Sequence, residues 1–275
     1  MNFRSSLTAL IALSIPAISA SAQNSVEYQF EFVAEWSAQT HPTAFPGNPH
    51  FSPVIGTTHN NQVNIWEPNG IATPGIELMA ETGSPVSLQN EINSIISSNN
   101  ADQFLNFGGI GTSPNSLART FSVDDEYTLL SLVTMIAPSP DWFVGIHDVE
   151  LRPNGIWERE LFFSLDPYDS GTDAGVSYTS PNSNVTPHLP IANIADEFPF
   201  TGSGRIGTFR VTLISDAACS HADFAEPYNQ LDFFDVSAFV SAYASQDLSA
   251  DLNNDGSFDF FDVSSFVNTY AAGCP

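Results

Sequence analysis

Apolar and polar residues alternate from Val26 to Trp36. Val26, Tyr28, Phe30, Phe32, Ala34 and Trp36 fall on one side and Glu27, Gln29, Glu31 and Glu35 on the other, with Val33 the exception. A period of two is that of a half-buried strand. Further runs of this kind predict strands at 119–123, 127–137, 142–151, 157–164, 174–179 and 204–215. In the last, Phe209, Val211 and Leu213 alternate with Arg210 and Thr212. Helical spacing takes over at Leu88, Ile92, Ile95 and Ile96. It predicts one short amphipathic helix, with Ser84 as cap, Pro85 at the first helical position and Asn99-Asn100 at its end. The segments 37–60 and 101–118, rich in Gly, Asn, Ser or Pro, read as loops. Short strands separated by turn signals argue an antiparallel sandwich.

The last sixty residues change period. The stretch from Leu231 to Tyr243 recurs from Phe258 to Tyr270, and each copy has apolar residues at helical spacing: Val236, Phe239, Val240 and Tyr243, then Val263, Phe266, Val267 and Tyr270. Neither stripe can be buried by its own helix, so the two helices are expected to pack together. The domain boundaries that follow are 1–22, 24–215 and 216–275.

The first 22 residues read as a secretory leader. Arg4 supplies the charge, residues 7–18 the apolar core and Ala20-Ser21-Ala22 the cleavage site. The apolar run is too short to span a bilayer. Two cysteines, Cys219 and Cys274, flank the tail. In an exported chain they read as one disulfide, stabilising by about 4 kcal/mol in the chain-entropy picture. The formal net charge is -25, from 31 acids against 6 basic residues, all of them arginine. Nucleic acid and anionic membrane surfaces are disfavoured as partners. Without lysine there is no Schiff-base chemistry. Solubility accounts for scattered acids, and cation binding for clustered ones.

The acids cluster in two places. Asp141 follows the apolar run 129–137 and two prolines that end its ladder. Asp169 and Asp173 flank Gly171 in a second loop. Three carboxylates on two loops repel one another unless a cation joins them, and flexible loops of oxygen ligands suit calcium. In the tail, Asp251, Asn253, Asp255, Gly256, Ser257, Asp259 and Asp262 occupy positions 1, 3, 5, 6, 7, 9 and 12 of an EF-hand-type loop. An earlier loop with Asp223, Glu226, Asp232 and Asp235 lacks the D-x-[DN]-x-[DN]-G core and has one extra residue. Capping of the helix N-termini accounts for Asp235 and Asp262 without metal, but not for the alternating oxygens at 251, 253 and 255. His41, His50 and His59 match no zinc spacing and read as loop hydrogen-bonding residues.

Two of these stretches, Pro138-Ser-Pro-Asp-Trp-Phe-Val-Gly145 and Pro167-Tyr-Asp-Ser-Gly-Thr-Asp-Ala-Gly175, resemble the spondin N-terminal domain. Phe51-Ser52-Pro53, Gly56, His59, Trp66, Ala80-Glu81-Thr82-Gly83 and 178–182 agree with it. The resemblance covers residues 24–215. It implies a mainly β, C2-like antiparallel β-sandwich with calcium at one end. It also implies ligands at Asp141, Asp169 and Asp173, plus a Glu on the strand before. The corresponding position here, nineteen before Asp141, is Ser122, with Asp124, Asp125 or water as stand-ins. The tail resembles a dockerin, which implies a small α-helical calcium-loop domain and a cohesin-like or other surface anchor.

There is no G-x-S-x-G, no H-E-x-x-H and no phosphate loop. Glu81 and His59 read as buried hydrogen-bonding residues rather than catalysts. The expected function is a secreted, calcium-dependent, non-enzymatic adhesion or recognition protein for an extracellular or cell-surface protein or glycan. A carbohydrate-active hydrolase and a structural surface-layer component are the alternatives.

Overall fold

The computed structural model describes residues 25–215, 220–225, 228, 230–253 and 255–274. The leader, Cys219 and Glu226 lie outside the described residues, and with them one half of the expected disulfide and one expected ligand of the first tail loop.

The chain is mainly β, with antiparallel pairing throughout. The strands are β1 (Ser25–Ala34), β2 (His50–Phe51), β3 (Ile55–His59), β4 (Ala101–Asn106), β5 (Asn115–Asp124), β6 (Leu129–Ala137), β7 (Trp142–Glu150), β8 (Glu160–Leu165), β9 (Tyr168–Asp169), β10 (Ala192–Asn193) and β11 (Gly207–Ser215). One sheet runs β5-β1-β11-β8; the other runs β10-β9-β7-β6-β3-β4, with β2 also on β6. The alternation in β1 is borne out: Val26, Tyr28, Phe30, Phe32 and Ala34 are buried. The two sheets share one core. Phe30 stacks on Phe107 at 4.6 Å and meets Phe209 edge-on at 4.9 Å. At one end this core becomes an aromatic cluster, in which Trp142 lies 5.3 Å from Tyr178 and 5.2 Å from Phe200, ring to ring.

The other face of the larger sheet is covered by two helices, where the sequence pattern predicted one. The first is α1 (Pro74–Thr82), with Thr73 as N-cap, Pro74 in its first turn and Gly83 closing it at φ 70°. The second, α2 (Val86–Ser97), is the predicted one, but Ser84 does not cap it: Pro85 is the N-cap and no side chain bonds there. Ile76, Met79, Ala80, Leu88 and Ile92 pack with Ile55, Val133, Met135 and Phe143 in a second core. Three further expectations are corrected. The segment 37–60, read as loop, holds β2 and the fully buried β3. The segment 101–118 holds β4 and the start of β5 rather than a loop. The segment 174–179 is not a strand; Ser180 Oγ accepts the Ser177 N–H at 3.0 Å and turns the chain there.

In the tail, α3 (Phe233–Ala244) and α4 (Phe260–Ala272) form where the repeat predicts them. They pack together, with Phe239 and Phe266 stacked at 4.1 Å.

Candidate metal centre

Pro138 and Pro140 end β6, and Asp141, just before β7 and beside Trp142, has no exposed surface. A carboxylate in that position needs donors. Its Oδ2 accepts from the Ser170 hydroxyl (2.9 Å), the Thr172 N–H (2.8 Å) and hydroxyl (3.2 Å), and the Asp173 N–H (3.0 Å). Its Oδ1 is buried and accepts nothing. The loop that supplies those donors turns at Gly171, whose φ is 76°. A Cβ there would lie 2.2 Å from the Leu189 carbonyl oxygen, so the close approach requires glycine.

Asp169, on β9, accepts from the Gly171 N–H (2.8 Å) and the Trp142 indole N–H (3.2 Å). Burial, and next the charge of Asp141, push its pKa up to about 6. Asp173 accepts from the Gly175 N–H at 2.7 Å and the Ser183 N–H at 2.6 Å. The fourth acid is one the strand-based reading missed. Glu81, in the last turn of α1, has a buried, unpartnered Oε1. Burial raises its pKa most, a hydrogen bond with Thr172 lowers it, and the charges of Glu77, Asp141 and Asp173 raise it further. Glu81 lay in the Ala80-Glu81-Thr82-Gly83 stretch, but it reaches the site only because α1 packs against β6 and β7.

Ser122 is elsewhere. Its carbonyl accepts from Gln103 on β4 at 2.8 Å, and β4 joins β3 toward the Leu129 end of β6, opposite Asp141. Asp124 ends β5 at that same far end, and Asp125 pairs with Arg152 at 3.2 Å. Neither can stand in near Asp141. Among the described residues no three His, Cys, Asp or Glu side chains are gathered closely enough to hold a metal ion as they stand. Two of these acids keep a buried oxygen without a hydrogen-bond partner, Asp141 Oδ1 and Glu81 Oε1, and the Asp141 charge is among those that raise the Glu81 pKa.

The tail loops are organised by backbone donors. Asp251 accepts from the N–H groups of Asp255 (3.1 Å) and Gly256 (2.9 Å), and Asn253 from that of Asp255 (3.0 Å). Asp255 accepts from the Ser257 N–H at 2.8 Å, and Gly256 turns at φ 78°. Asp259 and Asp262 form a capping box on α4, and Asp232 and Asp235 form the same box on α3. Asp223 is buried beside the first loop. The three histidines are dispersed. His59 bonds Ser131 Oγ at 2.8 Å, His41 bonds Thr40 Oγ1 at 2.9 Å and His50 bonds the Asn48 carbonyl at 2.9 Å, as hydrogen-bonding residues do.

A two-sheet β domain backed by helices, with an acidic loop cluster over an aromatic end, is the class of protein defined so far. More particularly, the chain belongs to the Spondin_N family, whose model matches residues 26–204. It is similar to Spondin-1 of Gallus gallus, 35% identical over 188 residues that cover 64% of this chain and 23% of that protein. Spondin-1 of Homo sapiens matches at 35% over 188 residues with the same coverage. Spondin-2 of Homo sapiens is 27% identical over 183 residues, 65% of this chain and 55% of that protein. The chain thus matches under a quarter of Spondin-1 and about half of Spondin-2. The protein is secreted and extracellular. Among the described residues no helix is long and apolar enough to cross a membrane.

Proposed function

We propose that the protein is a non-enzymatic, calcium-dependent adhesion or recognition module. In this reading a C2-like sandwich presents its ion-organised loops to an extracellular protein or glycan, and a dockerin-like tail anchors it to a cohesin-like or other surface partner. One observation carries the calcium reading: Asp141 Oδ1 is fully buried and unpartnered, and the Asp141 charge is among those that raise the pKa values of Glu81 and Asp169. Leaving such an oxygen without a donor or cation is costly. A hard dication offsets several carboxylates at once, and supplies only that electrostatic closure. Asp141 and Glu81 would be its first ligands, with lone pairs of Asp169 and Asp173 left by their backbone bonds. In the tail, Asp251, Asn253, Asp255, Ser257, Asp259 and Asp262 would hold a second ion. Asp223, Asp232 and Asp235 would hold a weaker one. A Cys219–Cys274 disulfide would close the tail.

Calorimetric calcium titration tests this directly. Asp141→Ala is expected to remove one binding event and Asp255→Ala another. Isotherms unchanged by both substitutions would overturn both sites.

A further inference from the structure

The β6–β7 ladder slips between Leu130 and Leu132, so that His147 and Asp148 together face Ser131. Such bulges re-aim side chains. Ser131 Oγ accepts the Asp148 N–H at 3.0 Å and bonds His59 Nε2 at 2.8 Å. The bulge holds Asp148 at φ 48°, a left-handed conformation that aspartate and asparagine adopt more readily than most residues. Its carboxylate lies 3.5 Å from His59 Nε2 through Oδ1 and 3.6 Å from His147 Nδ1 through Oδ2. Neither separation is a hydrogen bond. Asp148 Oδ1 and His147 Nδ1 are both buried atoms without a partner. His59 is fully buried, and burial lowers its pKa, so a neutral ring faces the carboxylate. A cavity of about 380 Å³ opens on Asp148, bounded by Asn61, Gln62, Val63, Asn64 and Leu129.

We propose that this cavity binds the guanidinium end of an arginine-like ligand, with Asp148 as its charge partner. The Asp148 carboxylate, about a third of whose side chain is exposed (35%), is an acceptor at the cavity wall, so the occupant must bring donors. A guanidinium brings several in one plane, matched to a carboxylate. Among the described residues no arginine is paired with this carboxylate, and the chain has 6 basic residues against 31 acids, which favours a cation from outside. Val63 and Leu129 give an apolar wall for the aliphatic stem. A metal ion would want the two imidazoles and the carboxylate gathered together, and they are not. The site is separate from the acidic loops and does not rest on calcium there.

Calorimetry or NMR titration of the full chain with Nα-acetylarginine methylamide tests the proposal. The uncharged citrulline counterpart serves as control. Asp148→Asn is the informative variant, because asparagine tolerates the left-handed backbone and keeps the side chain's size. Saturable binding is expected for wild type, weakened by salt, lost for citrulline and about tenfold or more weaker in the variant. A short arginine peptide that binds more tightly than the blocked amino acid would assign a partner's side chain; equal affinity would assign a free ligand. Failure to saturate, equal binding by citrulline, or unchanged affinity in Asp148→Asn would each overturn the site.

Discussion

Asp169 shows at the scale of one residue what the acidic loops cost. Its proton leaves near pH 3.8 in the unfolded chain and near 6 in the folded one. Between those values the folded state holds the extra proton, so this residue's contribution to stability falls as pH rises through the window and stays lower above it. The buried His41 and His59 act oppositely. Burial lowers their pKa, so their contribution is lost as pH falls below the ordinary histidine range. The whole-protein profile mixes the two, and a variant separates them. Asp169→Asn removes the charge, and exchanges one accepting oxygen for an NH2 group that must face the Gly171 or the Trp142 N–H. In chelator, its urea midpoint relative to wild type is therefore expected to improve as pH rises from 4 to 7. With calcium the variant should lose ground at pH 7, because the same substitution would remove a proposed ligand oxygen. An unchanged pH dependence would mean that Asp169 is not held under repulsion.

Among the elements, the loop from Asp169 to Gly175 depends on one conformation. Gly171→Ala meets both the left-handed penalty and the Leu189 carbonyl, and is expected to destabilise by about 2 kcal/mol or more in chemical denaturation. The tail helices allow a finer comparison. Asp235 Oδ1 accepts the Ala225 N–H and Asp262 Oδ1 the Leu252 N–H, both at 2.9 Å, so the two residues close their loops alike. In chelator, Asp235→Ala and Asp262→Ala should each cost about 1 kcal/mol, read by amide exchange in α3 and α4. In calcium the cost of Asp262→Ala should grow more, because its loop carries the alternating oxygens. The same elements show what the sequence could convey. The repeat and the period of β1 reported local geometry, and the structure agrees with both. The helix α1 carried legible ends in Thr73-Pro74 and Gly83, but its nine residues are too few for periodicity to stand out. The strand β4 has no alternation to read, since its residues 102–104 are neither fully buried nor exposed. Asp141 and Asp169 were visible from prolines and glycine nearby. Glu81 stood out only as a buried polar residue and not as part of the acidic cluster, and Asp148 did not stand out, because their settings depend on a helix docking onto a sheet and on a slipped ladder, which are tertiary events.

For the molecule as a whole, a net charge of -25 works against the compact state through self-repulsion, which ordinary salt screens and a bound dication removes locally. The two effects can be told apart because screening depends on ionic strength alone. Raising sodium chloride should raise the melting temperature gradually, without saturating at low concentration. Calcium chloride at matched ionic strength should raise it further and saturate, since a ligand that binds only the folded state stabilises by mass action. Asp141→Ala should keep the sodium response and lose part of the calcium increment. If calcium and sodium chloride gave equal shifts at equal ionic strength, diffuse screening would account for the acidity. The buried Asp141 oxygen would then have to be satisfied by some other donor.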